Sequence, residues 1–196
     1  MKAVFASRNR HKAEQVRLLL PDFELIPLDE LAPSLELEEP FNTFEENALA
    51  KARAVLVATG LSAVADDSGL EVDALGGAPG VRSARYAGEV ATDKENNDKL
   101  LAALSDVPEA LRGCRYRCAA VFLGPEGESV VATGACEGRV GFEPRGNLGF
   151  GYDPLVFPEG KSRTMGEIPL SEKLAFSHRG RAFRSLQQRM KEIKLI

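Results

Sequence analysis

Two adjacent carboxylates at the edge of an apolar run are the first residues in this chain that could do chemistry. In VADDSGLEVDALGGAPG, Asp66 and Asp67 follow Val64 and Ala65, and Ser68 and Gly69 come next. At the end of a buried strand, such a pair offers hard oxygen ligands to Mg2+, which takes one or two protein carboxylates and keeps several waters. Ser68 and Gly69 would let a ligand approach the backbone closely. All four residues also favour turns, so a solvated DDSG turn satisfies the local sequence equally well. A further carboxylate stands upstream in Glu36, Glu38 or Glu39, provided that acidic loop folds back over the strand end.

Other segments could handle an anionic, planar ligand. SRNRHK (Ser7, Arg8, Asn9, Arg10, His11, Lys12) leads from a strand-like run into a helix-like one. Free N–H groups and the positive dipole end at a helix N-terminus, joined by the Lys12 ammonium, suit a phosphate. No GxxxxGK[ST] loop is present, and an ordinary helix cap accounts for the same residues. SEKLAFSHRGR supplies Lys173, His178, Arg179 and Arg181, a cluster that a solvated helix face would also produce. Phe150, Gly151, Tyr152 and Asp153 form FGYD, whose aromatic pair could stack on a base or simply pack. No GxSxG, Cys–His pair or Cys/His metal cluster occurs; if the chain is an enzyme, attack by water assisted by a metal and a carboxylate is the cheapest chemistry available to it.

These residues need a scaffold, and hydrophobic periodicity predicts one. KAVFAS and FELIPL read as strands flanking a helix that Asn9 caps, with Ala13, Val16, Leu19 and Leu20 on its apolar face. Thr43 and Glu46 open a helix that runs to about Thr59 and stops at Gly60. SAVADD returns as a strand that ends at the two aspartates. Thr92 and Glu95 open another helix toward Leu104. RYRCAAVFL and ESVVATGACEG form a hairpin around GPEGE. RGNLGFGYDPLVF turns from a Gly-rich loop into a strand, and a last helix follows SHR, with Phe183, Leu186, Met190 and Ile193 on one face. LAPSLELEEPF is a loop or edge element. The mixture predicts an α/β fold: a mixed sheet flanked by helices.

Composition narrows the function classes. A chain of 196 residues with no repeat or linker suits one domain, 1–196, large enough for a sizeable core. A net charge of −4 argues against a stable nucleic-acid or membrane partner. Cys114, Cys118 and Cys136 are odd in number and form no CxxC, which fits reduced thiols in a cytoplasmic protein. No signal peptide precedes the first strand, and no apolar run is long enough to span a bilayer.

Taken in order, SRNRHK, TFEENALAKA, ADDSGLEVDALGGAPGVRSARYAG, GFGYDPLVF and SEKLAFSHRGRA resemble the inosine triphosphate pyrophosphatase family of dITP/XTP diphosphatases. The resemblance runs from near Met1 to the last helix. It implies a long mixed sheet forming two lobes around a central cleft, usually in a homodimer. It implies Mg2+-dependent hydrolysis of ITP, dITP and XTP to the monophosphate and pyrophosphate. By the same resemblance, Ser7 to Lys12 contact phosphate, and Asp67 is catalytic base and metal ligand with Asp66 beside it. Ser68, Phe150, Gly151, Tyr152, Asp153, Lys173, His178 and Arg179 then contact substrate, and Glu38 is the second metal carboxylate. The chain departs from the family at Pro40-Phe41 and at Arg8, each at a position that is often Gly. Arg8 thus either adds charge near the triphosphate or points to solvent. A Maf-like pyrophosphatase of other base preference and a nucleotide sensor without turnover are the alternative readings.

Overall fold

The computed structural model describes residues Met1 to Ile196. The first strand β1 (Lys2–Phe5) and second strand β2 (Glu24–Pro27) pair in parallel, with Val4 opposite Ile26. Parallel neighbours need a crossover, and helix α1 (Arg10–Leu19) supplies it. Asn9 caps α1 as expected, accepting the Lys12 N–H at 3.1 Å. After β2 comes a one-turn helix, α2 (Leu28–Leu31), which the sequence pattern did not announce. Asp29 and Glu30 in its first turn suit the positive end of its dipole.

Helix α3 (Phe44–Thr59) begins where expected, with the Glu46 N–H donated to Thr43 Oγ1, and ends at Gly60, whose φ of 68° is left-handed. It delivers the chain into β3 (Ala63–Val72), parallel to β1. The strand expected to end at the aspartates instead continues five residues further, so DDSG is neither a strand end nor a turn. Burial of Leu70 and Val72 overrides the turn preference of the residues before them. Leu70 N–H also donates to Ser83 Oγ at 2.8 Å, which ties the extension to a 3-10 segment at Gly80–Arg85.

Helix α4 (Asp93–Ala103) has the reciprocal Thr92–Glu95 capping box that the sequence predicts. The strands β4 (Gly113–Leu123) and β5 (Ser129–Val140) are sheet neighbours joined by residues 124–128, as the hairpin reading requires. A short β6 (Val156–Pro158) pairs antiparallel with β5. The sheet is therefore mixed, in the order β2-β1-β3-β4-β5-β6, and helices α5 (Leu170–Phe176) and α6 (His178–Glu192) complete the chain. The last helix starts at His178 rather than after SHR. Phe183, Leu186 and Met190 are fully buried on it, whereas Ile193 lies beyond its end and is 58% exposed. No helix is long and apolar enough to cross a membrane.

The chain divides into two compact units. The first comprises Met1–Asp67, Cys118–Gly134 and His178–Ile196; the second comprises Ser68–Arg117 and Ala135–Ser177. In the first, α1 packs on α6, and Phe23 meets Phe122 edge-on with centroids 6.2 Å apart. Gly134 of β5 permits a close approach by α6, because a Cβ there would lie 2.3 Å from the His178 carbonyl oxygen. In the second, Leu70, Leu100, Tyr116, Val140, Tyr152 and Leu155 belong to one apolar cluster. All three cysteines are buried outside any disulfide, and burial pushes the Cys114 and Cys118 thiols up to about 12.

Arg112 is the unexpected anchor of the second unit. Only 2% exposed, it donates to the carbonyls of Val107, Gly141 and Leu104 and lies 4.0 Å from the Phe142 ring centroid. Carbonyl dipoles take its hydrogen bonds, and the Glu109 charge offsets part of the cost of its burial. Arg112→Met removes the donor to the Val107 and Gly141 carbonyls, while Leu104 O keeps the Val107 N–H, and is expected to cost about 3 kcal/mol, read as a lower urea midpoint at unchanged m-value. Arg112→Lys should recover only part of this, because an ammonium lacks the planar fork.

Candidate active site

In the first unit the site grows from β3. Successive side chains of a strand point to opposite faces, so neighbouring Asp66 and Asp67 must find different partners. Asp66 is met by α1 and α6. Its Oδ2 accepts from Arg179 Nη2 at 2.9 Å and Nε at 3.2 Å, and lies 3.2 Å from Lys12 Nζ. Burial alone would raise its pKa, but Lys12, Arg179 and Lys51 together hold the carboxyl well below the usual range. Its Oδ1 is buried without a hydrogen-bond partner. Arg179, 1% exposed, is steadied by Gln15, whose Oε1 accepts from Nη1 at 3.0 Å.

Asp67 is met by α3. Its Oδ1 accepts from Lys51 Nζ and its Oδ2 from Asn47 Nδ2, both at 3.2 Å. Lys51 reaches Glu39 Oε1 at 2.6 Å as well, so one ammonium joins two carboxylates. Burial and the Glu39 charge raise the Asp67 pKa against the opposing pull of Lys51. Burial would lower the Lys51 pKa, yet Asp67, Glu39 and Asp66 leave it raised. Asn47 exchanges hydrogen bonds with the Phe41 backbone, its Oδ1 accepting at 2.9 Å and its Nδ2 donating at 3.2 Å. That tie fastens the Pro40-Phe41 departure and sets Glu39 beside Lys51. Glu38 is exposed, with no bond to the cluster.

The remaining first-unit candidates separate. Ser7 is half-buried, and its Oγ accepts from the Asn9 N–H at 3.2 Å. Arg10 and His11 are exposed on the first turn of α1. Arg8 is exposed and has no bond to this cluster. Asp29 accepts from its Nε at 2.7 Å and the Pro33 carbonyl from its Nη2 at 2.8 Å, because α2 and the following loop offer acceptors there. His178 and Arg179 are buried in the first turn of α6 and Lys173 is buried on α5, so the solvated-face reading fails for these three, whereas Arg181 is exposed.

In the second unit the FGYD loop is built around Asp153. Its Oδ1 accepts from Tyr116 at 3.1 Å, and its Oδ2 from buried Lys173 at 2.8 Å and from the Phe150 N–H at 3.4 Å. A Cβ at Gly149 would fall 2.0 Å from Asp153 Oδ2, so only glycine fits. Tyr152 packs in the apolar cluster and donates to the Ser83 carbonyl at 2.9 Å, leaving half-buried Phe150 as the ring with open surface. Ser68 is half-buried at the start of this unit.

Sequence reading missed Asn47, Lys51 and Gln15. The signal was available: Phe44, Asn47, Ala48, Lys51, Ala52 and Val55 form the buried face of α3 at helical spacing. Polar residues interrupting such a face ask for buried partners.

The fold and site are those of a mixed α/β protein that buries neighbouring carboxylates among lysines and an arginine. The chain belongs to the Ham1 family, whose model matches residues 3–189, as the ordered motifs led us to expect. It is similar to the dITP/XTP pyrophosphatase of Streptomyces avermitilis, 46% identical over 98% of each chain. It is also similar to that of Mycobacterium tuberculosis, 48% identical over 92% of this chain and 91% of the other. Its structure resembles the Ham1 proteins of Staphylococcus aureus and Coxiella burnetii. The first has a TM-score of 0.89 and 38% identity over 99% of this chain and 100% of that one. The second has a TM-score of 0.88 and 40% identity over 98% and 99%.

Asp66 makes a testable contribution. In metal-free protein at pH 7, Asp66→Asn leaves Lys12 and Arg179 without their counter-charge, and a loss of about 3–5 kcal/mol is expected. A carboxyl whose folded pKa is depressed stabilises fully above its unfolded value and loses that contribution as pH falls toward the folded one. Urea midpoints of wild type and variant should therefore begin to converge as pH falls through about 4 and continue to do so at lower pH.

Proposed function

We propose that the protein hydrolyses non-standard purine nucleoside triphosphates, dITP, ITP and XTP, to the monophosphate and pyrophosphate. The observation that carries this reading is the Asp67–Lys51–Glu39 cluster beside the Lys12–Asp66–Arg179 cluster. The names of the curated relatives support the substrate class.

Mg2+ suits the donor set. Asp67 and Glu39 offer hard carboxylate oxygens already converging on one cation, while no group of three His, Cys, Asp or Glu forms an all-protein cage. That matches an ion bound by one or two carboxylates plus substrate phosphates. When bound, it would supply neutralisation of phosphate charge and a lower pKa for water. The chain's own residues do the rest. Asp67 accepts the proton of water attacking the α-phosphorus, and its raised pKa makes it a stronger base than an exposed carboxylate. The bond from α-phosphorus to the bridging oxygen breaks, and its electron pair leaves on pyrophosphate. Lys12 and the N–H groups opening α1 stabilise that charge.

Base recognition falls in this reading to the FGYD loop, in which buried Lys173 holds Asp153, and to Ser68 and His178. Arg179, committed to Asp66 and Gln15, serves as an organiser of the carboxylate instead. A 6-keto oxygen accepts where the 6-amino group of adenine donates. A site donor left unpaired costs roughly 1–3 kcal/mol, or about five- to a hundredfold in discrimination. By family resemblance the active form is a homodimer in the cytoplasm, and light scattering tests the former.

A panel of dITP, XTP, ITP, GTP, ATP and dTTP with Mg2+ decides among the readings. Pyrophosphate release confined to the first three is expected; orthophosphate as first product, or binding without product, would overturn the proposal. EDTA should abolish release and added Mg2+ restore it. Asp67→Asn should lower kcat by at least about a hundredfold.

A further inference from the structure

The long segment between β3 and α4, GGAPGVRSARYAG, and α4 itself have so far had no role. Both lead to Gly151. Its N–H donates to Asp93 Oδ2 at 2.6 Å, and its carbonyl oxygen accepts from Asn97 Nδ2 at 3.1 Å. Asp93 and Asn97 stand one turn apart on one side of α4, so a single helix holds both polar groups of one loop residue. Gly151 has a φ of 62°, a left-handed conformation in which the chain turns sharply between Phe150 and Tyr152. An exposed loop could lose such a turn; here two side chains fix it.

The helix is fastened in turn. Asn96 accepts from the Ala87 N–H at 2.8 Å and donates to the Ala84 carbonyl at 3.1 Å, while Lys99 donates to the Tyr86 carbonyl at 2.6 Å. The same segment carries Ser83, whose carbonyl takes the Tyr152 hydroxyl and whose hydroxyl takes the Leu70 N–H. The hydrogen bonds thus close a ring, running from α4 through Asn96 to the 3-10 segment, through Ser83 to Tyr152, and through Gly151 back to α4. Within this ring Tyr152 and Asp153 are buried and bonded, and within the FGYD turn Phe150 is the half-buried aromatic residue. The Gly151 peptide is the crank that sets its direction.

We propose that Asp93 and Asn97 are positioning residues for base recognition: by clamping both polar groups of Gly151 they aim Phe150 at the purine, without touching the substrate. This rests on the pyrophosphatase reading above. The experiment compares wild type, Asp93→Ala, Asp93→Asn and Asn97→Ala in two measurements. Steady-state kinetics on dITP should show KM raised about tenfold in both alanine variants, with kcat within about twofold. Asp93→Asn, which keeps an acceptor oxygen, should restore KM. Inhibition by inorganic tripolyphosphate, which has no base, should be equal in all four proteins. Amide hydrogen exchange should show the Gly151 N–H deprotected in Asp93→Ala and protected again in Asp93→Asn. Freed Gly151 with unchanged KM would overturn the positioning role alone, as would loss of tripolyphosphate binding in step with dITP. A wild-type protein that turns over no nucleotide would instead sink the pyrophosphatase reading, whatever Gly151 exchange shows.

Discussion

Keeping a carboxylate ionised with no exposed surface requires cations to come to it, and Asp66 imposes that demand on the first unit. Lys12 must arrive from the start of α1 and Arg179 from the start of α6, both on a single oxygen. This explains why Asn9 caps α1 where it does, and why α6 needs a glycine opposite its first turn on β5. It also explains why Gln15, a neutral acceptor, faces Arg179: it steadies the guanidinium without competing with Asp66 as a second carboxylate would.

Asp67 answers a different demand on the other face of the same strand. It is raised by burial and by Glu39, and kept from running further by Lys51. In the proposed mechanism, where Asp67 takes a proton from water, this intermediate setting is an advantage. A deeply depressed carboxylate such as Asp66 is a poor base, and an unpaired buried one would stay protonated. One strand therefore places side by side a carboxylate locked in its charged form and one held closer to exchange. The difference comes from which helices bring which cations.

Much of this was legible in the sequence, for identifiable reasons. Capping residues and apolar periodicity located α1, α3 and α4, because both act locally. The mixed sheet and the hairpin followed from strand-like runs at the right spacing. The ordered motifs pointed to the family on firmer ground than any single segment. What escaped depended on contacts between distant residues. The length of β3 was decided by burial of Leu70 and Val72 and by Ser83, over the turn preference of DDSG. Glu39, rather than Glu38, reached Lys51 because Asn47 ties down Phe41, a link across a loop that spacing does not reveal. Arg8 was drawn away by Asp29 on a helix too short to leave a periodic signal. The basic cluster at α6 looked like a solvated face because its counter-charge lies more than a hundred positions earlier in the chain.

The alternation of β3 also bears on how this protein can change over evolutionary time. Two identical residues in a row look redundant, as though one were a spare that drift might erase. A pleated strand keeps no spares, because each position has its own audience of side chains. Deleting one residue before the pair would turn each remaining carboxylate toward the other's helices. The chain can accept insertions in its loops far more easily than a slip of one residue here, and the twin aspartates record a constraint on register as much as on chemistry.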